Sequence, residues 1–401
     1  IAQAEWREGI IEASSCARLK EDPAHFANRD QSRWWWMTQL GGRVIGYELD
    51  REQFIGPYRS YHNPLTVERG AAGNSIGYSD DTCGCIQSDL ELEPGESTDV
   101  LVLLGVGHAA DGARVRAAYG TVERAREELA KVKSEFHRIL ERFSCQTPDE
   151  EFDHMVNVWN AYNALMTFHW SRACSLVYTG EGRDAFGYRD TVQDLVGVSG
   201  LIPELVRERL ELMITGQDST GGAQPQIKPW LHRPGHMPAT PPDQYRSDDA
   251  LWLFNAVPAY VAETGDVNFY HKVLPYADQG EDTVLGHLRR ALEFNLAHTG
   301  AHGLPCGMAA DWNDCIKLGY HGESVFVAFQ VRFGLKTYAE IADRLGLPQE
   351  ATWARRELEK LDGLLQKHAW DGEWFVRAYG EDGTVFGSAR CEEGRIFLNP
   401  Q

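Results

Sequence analysis

Residues 309–315 read Ala-Ala-Asp-Trp-Asn-Asp-Cys and bring two carboxylates, a Trp and an Asn together within four positions. Amphipathic helical patterns precede and follow this segment, which predicts a loop between two helices, where catalytic groups tend to lie. The Trp312 indole offers a flat face for a sugar ring. It can also desolvate a neighbouring carboxyl group and favour the protonated form that a general acid requires. The alternative is a capped turn, with Asp or Asn as a helix N-cap and Trp312 in the core.

The composition limits the classes of protein and partner. The 401 residues suffice for two domains or one large domain, and 43% hydrophobic content provides a full core. A formal net charge of −20 argues against nucleic acid and anionic membranes as partners, because no Lys/Arg-rich run offsets it. The eight cysteines form no paired CxxC units, so free thiols and a cytoplasmic protein without a metal site are expected.

The two ends of the chain suggest a longer protein. The sequence begins at Ile1 without Met and ends just after the apolar run at 396–398. Both ends are therefore expected to be cut points. We expect an open helical edge near the C-terminus, with more apolar surface exposed than the few hundred Å² usual for a monomer.

Hydrophobic periodicity divides the chain into a β part and a helical part. Up to about residue 110, short apolar runs alternate with turn signals, which suits an antiparallel sandwich; Trp34-Trp35-Trp36 is either a core strand or an exposed aromatic platform. Apolar residues then recur at helical spacing, and successive helices with long loops favour an α/α toroid. The predicted domains are the C-terminal part of a β-sandwich (1–115), a helical linker (116–146) and the N-terminal part of a barrel (147–401).

Three further polar and aromatic segments are predicted to be loops at helix junctions. They read GRDAFGYRDTVQD (182–194), GGAQPQIKPW (221–230) and YRSDDALW (245–252). Asp, Arg and Gln side chains bind vicinal sugar hydroxyls, with an aromatic face beneath the ring. Surface ion pairs and a capping box are the alternative explanations. The absence of Walker, GxGxxG, GxSxG and HExxH motifs argues against nucleotide-binding, serine-hydrolase and zincin functions.

With these motifs the chain resembles the inverting disaccharide phosphorylases of glycoside hydrolase family 94, which include cellobiose and chitobiose phosphorylases. The motifs are GRDAFGYRDTVQD (182–194), YRSDDALWL (245–253), ADWNDC (310–315), GESVFVAFQ (322–330) and DREQFIGPYRSYHNP (50–64). The resemblance spans nearly the whole chain. It implies a multidomain fold of β-sandwich, helical linker and (α/α)6 barrel, incomplete at both ends of this chain.

The resemblance also implies roles for individual residues. Asp314, the last residue of the Trp-Asn-Asp motif, would be the general acid. The substrate-binding residues would be Trp312 in the −1 subsite, Arg183, Asp190, Arg189 and Asp194. Inorganic phosphate would be a co-substrate and no cofactor or metal is implied. The family's phosphate-binding residues would lie after the last residue of this chain, and the full-length protein would be a homodimer.

The predicted reaction is inverting phosphorolysis of a β-linked, cellobiose- or chitobiose-like disaccharide to a sugar α-1-phosphate and a free sugar, together with the reverse synthesis. Phosphate is already an anion and needs no general base, whereas an inverting hydrolase needs a second carboxylate to activate water. Glu323 and Asp248 are the candidate bases for the hydrolase alternative. A non-catalytic sugar-binding fragment is the other alternative. The spacing from Arg183 to Asp190 is closer to the chitobiose type.

The loops carrying Arg183, Asp190, Trp312 and Asp314 each precede a helix, so these four side chains are predicted to converge on one cleft. Asp311 is expected to support Asp314. Burial in the cleft and the Trp312 indole are expected to desolvate the Asp314 carboxyl group.

Overall fold

The computed structural model describes residues 2–15, 33–79, 81–170 and 185–391. Its contacts divide the chain into two compact units, Ile1–His137 and Arg138–Gln401. None of the helices in the described ranges combines the length and apolarity that crossing a bilayer requires. The six cysteines within these ranges carry free thiols, as the sequence predicted.

The first unit is built around two antiparallel sheets. Its strands are β1 (Ala2–Arg7), β2 (Ile10–Ser15), β3 (Arg33–Leu40), β4 (Arg43–Asp50), β5 (Gly77–Ser79), β6 (Thr82–Asp89) and β7 (Leu101–Val106). Five of them form a sheet in the order β5-β1-β2-β3-β7, and β4 pairs with β6. Ala4, Ile11 and Leu49 form the buried core between the sheets. The predicted antiparallel sandwich before residue 110 is therefore confirmed.

The first unit also holds helices, and one of them covers the tryptophan run. The helices that begin within it are α1 (Arg51–Ile55), α2 (Leu65–Arg69), α3 (Ala109–Tyr119) and α4 (Val122–Leu140). Trp36 on β3 is 3% exposed and packs against α3. A Cβ atom at Gly105 or Gly112 would come within 2.4 Å or 2.8 Å of the Trp36 ring, so glycine is needed at both places. The run is a strand with Trp36 in the core.

The second unit is mainly helical. Its helices are α5 (Glu150–His154), α6 (Ala161–Trp170), α7 (Tyr188–Val196), α8 (Pro203–Ile214), α9 (Leu253–Thr264), α10 (Val284–Ala297), α11 (Val325–Arg344) and α12 (Pro348–Leu364). Its strands are short: β8 (Phe186–Gly187), β9 (Gln226–Ile227), β10 (Val273–Pro275), β11 (Glu281–Thr283), β12 (Glu323–Ser324), β13 (Ala378–Tyr379) and β14 (Val385–Phe386). The predicted switch from β to helical structure is confirmed.

Apolar periodicity and capping explain the helices. In α8 a proline opens the first turn, and Val206, Leu210 and Met213 recur on the buried face. The Ser324 side chain caps α11 by accepting a hydrogen bond from the amide of Val327 (3.2 Å). The helices pack on near neighbours in the chain: α7 on α8 and α9, α10 on α11, and α11 on α12. This packing places the starts of α7, α9 and α11 around the candidate site.

Candidate functional site

The Arg189 guanidinium joins three of the four predicted loops. The residue lies in the first turn of α7, and its side chain is 6% exposed. Nη1 donates to Oδ1 of Asp248 (2.9 Å) and to the backbone carbonyl of Asp311 (2.6 Å). Nη2 donates to Oδ1 of Asp314 (2.7 Å). Charge-assisted hydrogen bonds of this length are strong, so one arginine fixes the relative positions of these loops.

The fourth predicted loop, residues 221–230, holds the start of α7. Strand β8 pairs with β9 inside this loop, and the Tyr188 amide donates to the carbonyl of Pro225 (3.1 Å). Tyr188 and Val192 are fully buried in the core cluster of the second unit. The loop and the buried face of α7 therefore position Arg189 before its side chain makes any contact.

Trp312 packs beside this network. The Arg189 guanidinium carbon lies 5.8 Å from the centre of its ring, within the range of a cation–π contact. The indole Nε1 is buried and has no hydrogen-bond partner among the described residues. A buried N–H without a partner is costly, and a ligand hydroxyl would satisfy it. Trp312 thus has an unused donor as well as an aromatic face.

The Asp314 carboxylate is accessible to solvent. Its side chain is 59% exposed. Its Oδ1 forms an ion pair with Arg189 and a longer one with Arg246, whose Nε lies 3.7 Å away. The expectation that burial and Trp312 would desolvate Asp314 is therefore wrong for this structure. The physical reason is the turn of the loop, which places Asp311 in the buried position and Asp314 at the surface.

Asp311 is the buried anchor of the loop. Its Oδ2 accepts a hydrogen bond from Ser324 Oγ (2.7 Å) and lies 2.6 Å from Nη2 of Arg377. Its Oδ1 accepts from the amide of Asn313 (2.8 Å), which closes a turn within the loop. This arrangement fits the supporting role expected for Asp311.

The backbone before the loop is strained. Met308 has φ of +55°, a left-handed conformation that is uncommon outside glycine. Arg246 forms isolated β-bridges with Met308 and with Ala310, and Met308 is buried. The surrounding contacts therefore hold the chain in this conformation as it enters the loop.

Asp248 and Asp249 are both fully buried and do not cap a helix, so the capping-box explanation of this segment is wrong. Asp248 accepts hydrogen bonds from Arg189 and from Trp252 Nε1 (3.0 Å). Both Asp249 oxygens lack a hydrogen-bond partner among the described residues. Burial, reinforced by the charge of Asp248, raises the pKa of Asp249 well above its usual range. Burial raises the pKa of Asp248 as well, but the Arg189 charge and the Trp252 hydrogen bond oppose that shift, so Asp249 is the member of the pair that favours the protonated form.

Substitution of Asp249 with Asn is expected to flatten the pH dependence of stability. A carboxyl group with a raised folded-state pKa contributes stability that is fully present below its unfolded pKa and is lost as pH rises towards the folded value. Asn mimics the neutral form at every pH. The free energy of unfolding of the variant should therefore rise relative to that of the wild type between pH 4 and pH 8, by about 1.4 kcal/mol for each unit by which the folded-state pKa of Asp249 exceeds its unfolded-state pKa. Urea unfolding across this range measures the effect. The exposed Asp243→Asn variant is the control, and parallel profiles for Asp249→Asn and wild type would contradict the assignment.

The structure describes two of the three remaining predicted sugar-binding residues. Arg183 lies outside the described residues. Asp190 and Asp194 are half-buried on α7, one residue and five residues after Arg189. A Cβ atom at Gly187 would come within 2.6 Å of Asp190 Oδ2, so glycine leaves room for that carboxylate. The structure thus brings Arg189, Trp312 and Asp314 together, with Asp190 on the same helical turn as Arg189.

A cavity of about 370 Å³ lies beside the loop and is lined by Asp243, Gly307, Asp311, Lys317 and Tyr320, among others. This volume falls in the range of small-molecule sites. The sequence analysis did not select Arg377 or Met308 as parts of the site, and it included Arg246 only as a member of the predicted loop at 245–252.

Comparison with known proteins relates both units to one family. Residues 135–401 match the catalytic domain of the glycosyl hydrolase 94 superfamily, and residues 3–128 match the glycosyl hydrolase 94 supersandwich domain. The chain is 33% identical to an N,N'-diacetylchitobiose phosphorylase of Vibrio proteolyticus, over 88% of this chain and 46% of that protein. It is also 33% identical to the Vibrio furnissii protein of the same name, with the same coverage. The chain is 30% identical to a solabiose phosphorylase of Paenibacillus borealis, over 96% of this chain and 49% of that protein. The chain spans about half the length of these relatives.

Proposed function

Because the chain belongs to the glycosyl hydrolase 94 superfamily, we propose that it performs inverting phosphorolysis of a β-linked disaccharide. The products are a sugar α-1-phosphate and a free sugar, and the reverse reaction builds the disaccharide. N,N'-diacetylchitobiose is the first substrate to test, because two of the relatives carry that name. Cellobiose-like disaccharides are the second class.

The proton donor in this proposal is Asp314. Phosphate attacks the anomeric carbon from one face of the sugar, while protonated Asp314 delivers its proton to the glycosidic oxygen on the other face. In the structure the carboxylate is paired with Arg189 and lies near Arg246. Binding of the disaccharide must loosen these ion pairs before Asp314 can hold the proton. The solvent-exposed position of Asp314 leaves its carboxyl group free to reach a bound sugar.

One observation favours phosphorolysis over hydrolysis: the candidate bases for hydrolysis are already engaged. Asp248 is fully buried and bound to Arg189 and Trp252. Glu323 is 2% exposed and accepts hydrogen bonds from the amides of His302 (2.8 Å) and Leu304 (3.0 Å). A general base must present a carboxylate to a water molecule. Neither side chain does so, whereas a phosphate nucleophile needs no such base.

The sugar contacts in this proposal come from the half-buried Trp312, Asp190 and Asp194, together with Arg183, which lies outside the described residues. Trp312 supplies its ring and its unused N–H to the sugar in the −1 subsite, and Asp190, Asp194 and Arg183 bind hydroxyl groups. Arg189 has a different role from the sugar contact first expected. Its donors are bound to protein carboxylates and a carbonyl, so it holds Asp314 in place.

The test is product analysis of the intact enzyme with β-linked glucose and N-acetylglucosamine disaccharides, with and without inorganic phosphate. Phosphorolysis predicts that disaccharide is consumed only when phosphate is present, and that ³¹P and ¹H NMR detect a new α-linked sugar phosphate. Release of two free sugars without phosphate would instead establish the hydrolase. Binding of disaccharide without turnover in either condition would favour the non-catalytic alternative.

The proposal extends to the organisation of the protein. The helical unit would form part of an (α/α)6 barrel, with residues 1–115, 116–146 and 147–401 as sandwich, linker and barrel segments. The protein would act in the cytoplasm as a homodimer, with phosphate as co-substrate and no cofactor. The free thiols of the six described cysteines are compatible with a reducing compartment.

A further inference from the structure

We propose that Arg377 is a positioning residue for this reaction, because it anchors the loop that presents Asp314. This inference rests on the proposed function, since it concerns the placement of the proton donor. Arg377 does not contact Asp314 directly. It acts through Asp311 and Ser324, and the structure shows each step of that connection.

The backbone places Arg377 beside the start of α11. It directly precedes β13, which pairs with β12 so that Ser324 lies opposite Ala378. The Arg377 amide donates to the carbonyl of Phe386 (2.8 Å), and its carbonyl accepts from the amide of Val325 (3.2 Å). The side chain is 6% exposed, so its charge needs a partner within the protein.

Arg377, Ser324 and Asp311 form a closed triangle of polar contacts. Arg377 Nη2 lies 2.6 Å from Asp311 Oδ2, and Nη1 donates to Ser324 Oγ (3.2 Å). Ser324 Oγ donates in turn to Asp311 Oδ2 (2.7 Å). Arg377 Nε and Nη2 are both buried without a hydrogen-bond partner among the described residues, so the contact of Nη2 with Asp311 Oδ2 is an ion pair and not a hydrogen bond. The guanidinium is therefore held mainly by the Asp311 charge, and the two depend on each other.

The position of Asp311 determines the position of Asp314. Asp311 Oδ1 holds the amide of Asn313 (2.8 Å), and Asn313 Oδ1 holds the amide of Cys315 (3.0 Å). These two bonds flank Asp314 on either side. Without Arg377, the buried Asp311 carboxylate loses its counter-charge and must shift or take up a proton. Misplacing a reacting group by about 1 Å can lower a rate about 10²-fold.

The test compares Arg377→Met with Arg377→Lys and wild type in the intact enzyme. The expected result for Arg377→Met is a fall in kcat of about 10²-fold with the natural disaccharide, with KM nearly unchanged. The loss should shrink with an aryl β-glycoside whose phenol leaves without protonation, because a misplaced general acid then matters little. Arg377→Lys should recover part of the rate by restoring the charge without the planar fork. Arg332→Met is the matched control. This half-exposed arginine of α11 forms its ion pair with Asp362 of α12 and not with a residue of the loop.

A second pair of variants decides the question if Arg377→Met does not fold. Ser324→Ala removes a donor to Asp311, whereas Ser324→Thr keeps both that donor and the helix cap. The alanine variant alone should show the loss that depends on the leaving group. Wild-type kcat in Arg377→Met or Ser324→Ala, or an equal loss with every leaving group, would overturn the positioning role. A wild type that shows no phosphorolysis would overturn the proposed function itself.

Discussion

Replacing Asp314 with Asn in the intact enzyme is expected to lower the rate of phosphorolysis about 10²–10⁴-fold. The amide keeps the size of the side chain but carries no acidic proton for the glycosidic oxygen. Binding of the sugar should largely survive, because the contacts assigned to it come from Trp312, Asp190 and their neighbours. Initial rates and disaccharide affinity separate these two effects. The structure adds that Asp314 is exposed, so the substitution should leave stability almost unchanged.

The leaving group of the substrate provides the decisive control for this variant. An aryl β-glycoside that releases a weakly basic phenoxide needs no proton donor and should rescue Asp314→Asn substantially. Asp311→Asn is the matched variant in the same loop, and it should lose less activity with the natural disaccharide. If Asp314→Asn stays equally inactive with the activated substrate, or if Asp311→Asn is the more damaged enzyme, then Asp314 is not the proton donor.

Replacing Arg189 with Met is expected to cost about 3–5 kcal/mol of stability, since it leaves the buried Asp248 carboxylate without its partner. The pair with the exposed Asp314 should add little to that loss. Phosphorolysis should fall as well, because Asp311 and Asp314 lose the donor that joins them. Urea unfolding of wild type and variant measures the first effect.

Two comparisons show whether Asp248 causes the loss in Arg189→Met. Arg207→Met removes a half-exposed arginine from ion pairs with Glu211 and Asp266 and should change stability little. The double variant Arg189→Met/Asp248→Asn removes the stranded charge and should recover much of the lost stability. An Arg189→Met variant as stable as Arg207→Met would show that the buried ion pair between Arg189 and Asp248 contributes little to stability.

Local patterns predicted the fold well where apolar spacing and turn residues determine structure. In helix α8, a proline in the first turn and apolar residues at helical spacing account for the helix from Pro203 to Ile214. The capping-box alternative is wrong at Asp248 and Asp249, although the two residues resemble the acidic first turn of a helix. Both carboxylates are buried in the interior. A short 3-10 helix spans Asp249–Trp252, and α9 begins only at Leu253. Tertiary contacts with Arg189 outweigh the local preference for a cap.

The candidate site was predictable as a set of loops but not as a network of charges. The adjacency of Asp311, Trp312 and Asp314 is visible in the sequence, but the segment at 182–194, which was predicted to be a loop, contains most of α7. Which arginine pairs with which aspartate is not visible, because Arg189 and Asp314 are 125 positions apart and meet only through helix packing. The same reason hides Arg377. Exposure of Asp314 rather than Asp311 depends on the turn at Asn313, which spacing alone does not reveal.

The left-handed Met308 restricts which sequences can carry this loop. A side chain with φ near +55° costs about 1–2 kcal/mol relative to an ordinary conformation, and a β-branched residue there is a genuine outlier. Substitution by Val, Ile or Thr would therefore be selected against even though each has the apolar character or size that the buried position accepts. Gly and Asn relieve the backbone but give up the packing of a long side chain among Tyr245, Phe294 and Cys306. Backbone geometry and core volume thus favour different residues at this position, so few substitutions are tolerated at the entrance to the loop that carries the proposed proton donor.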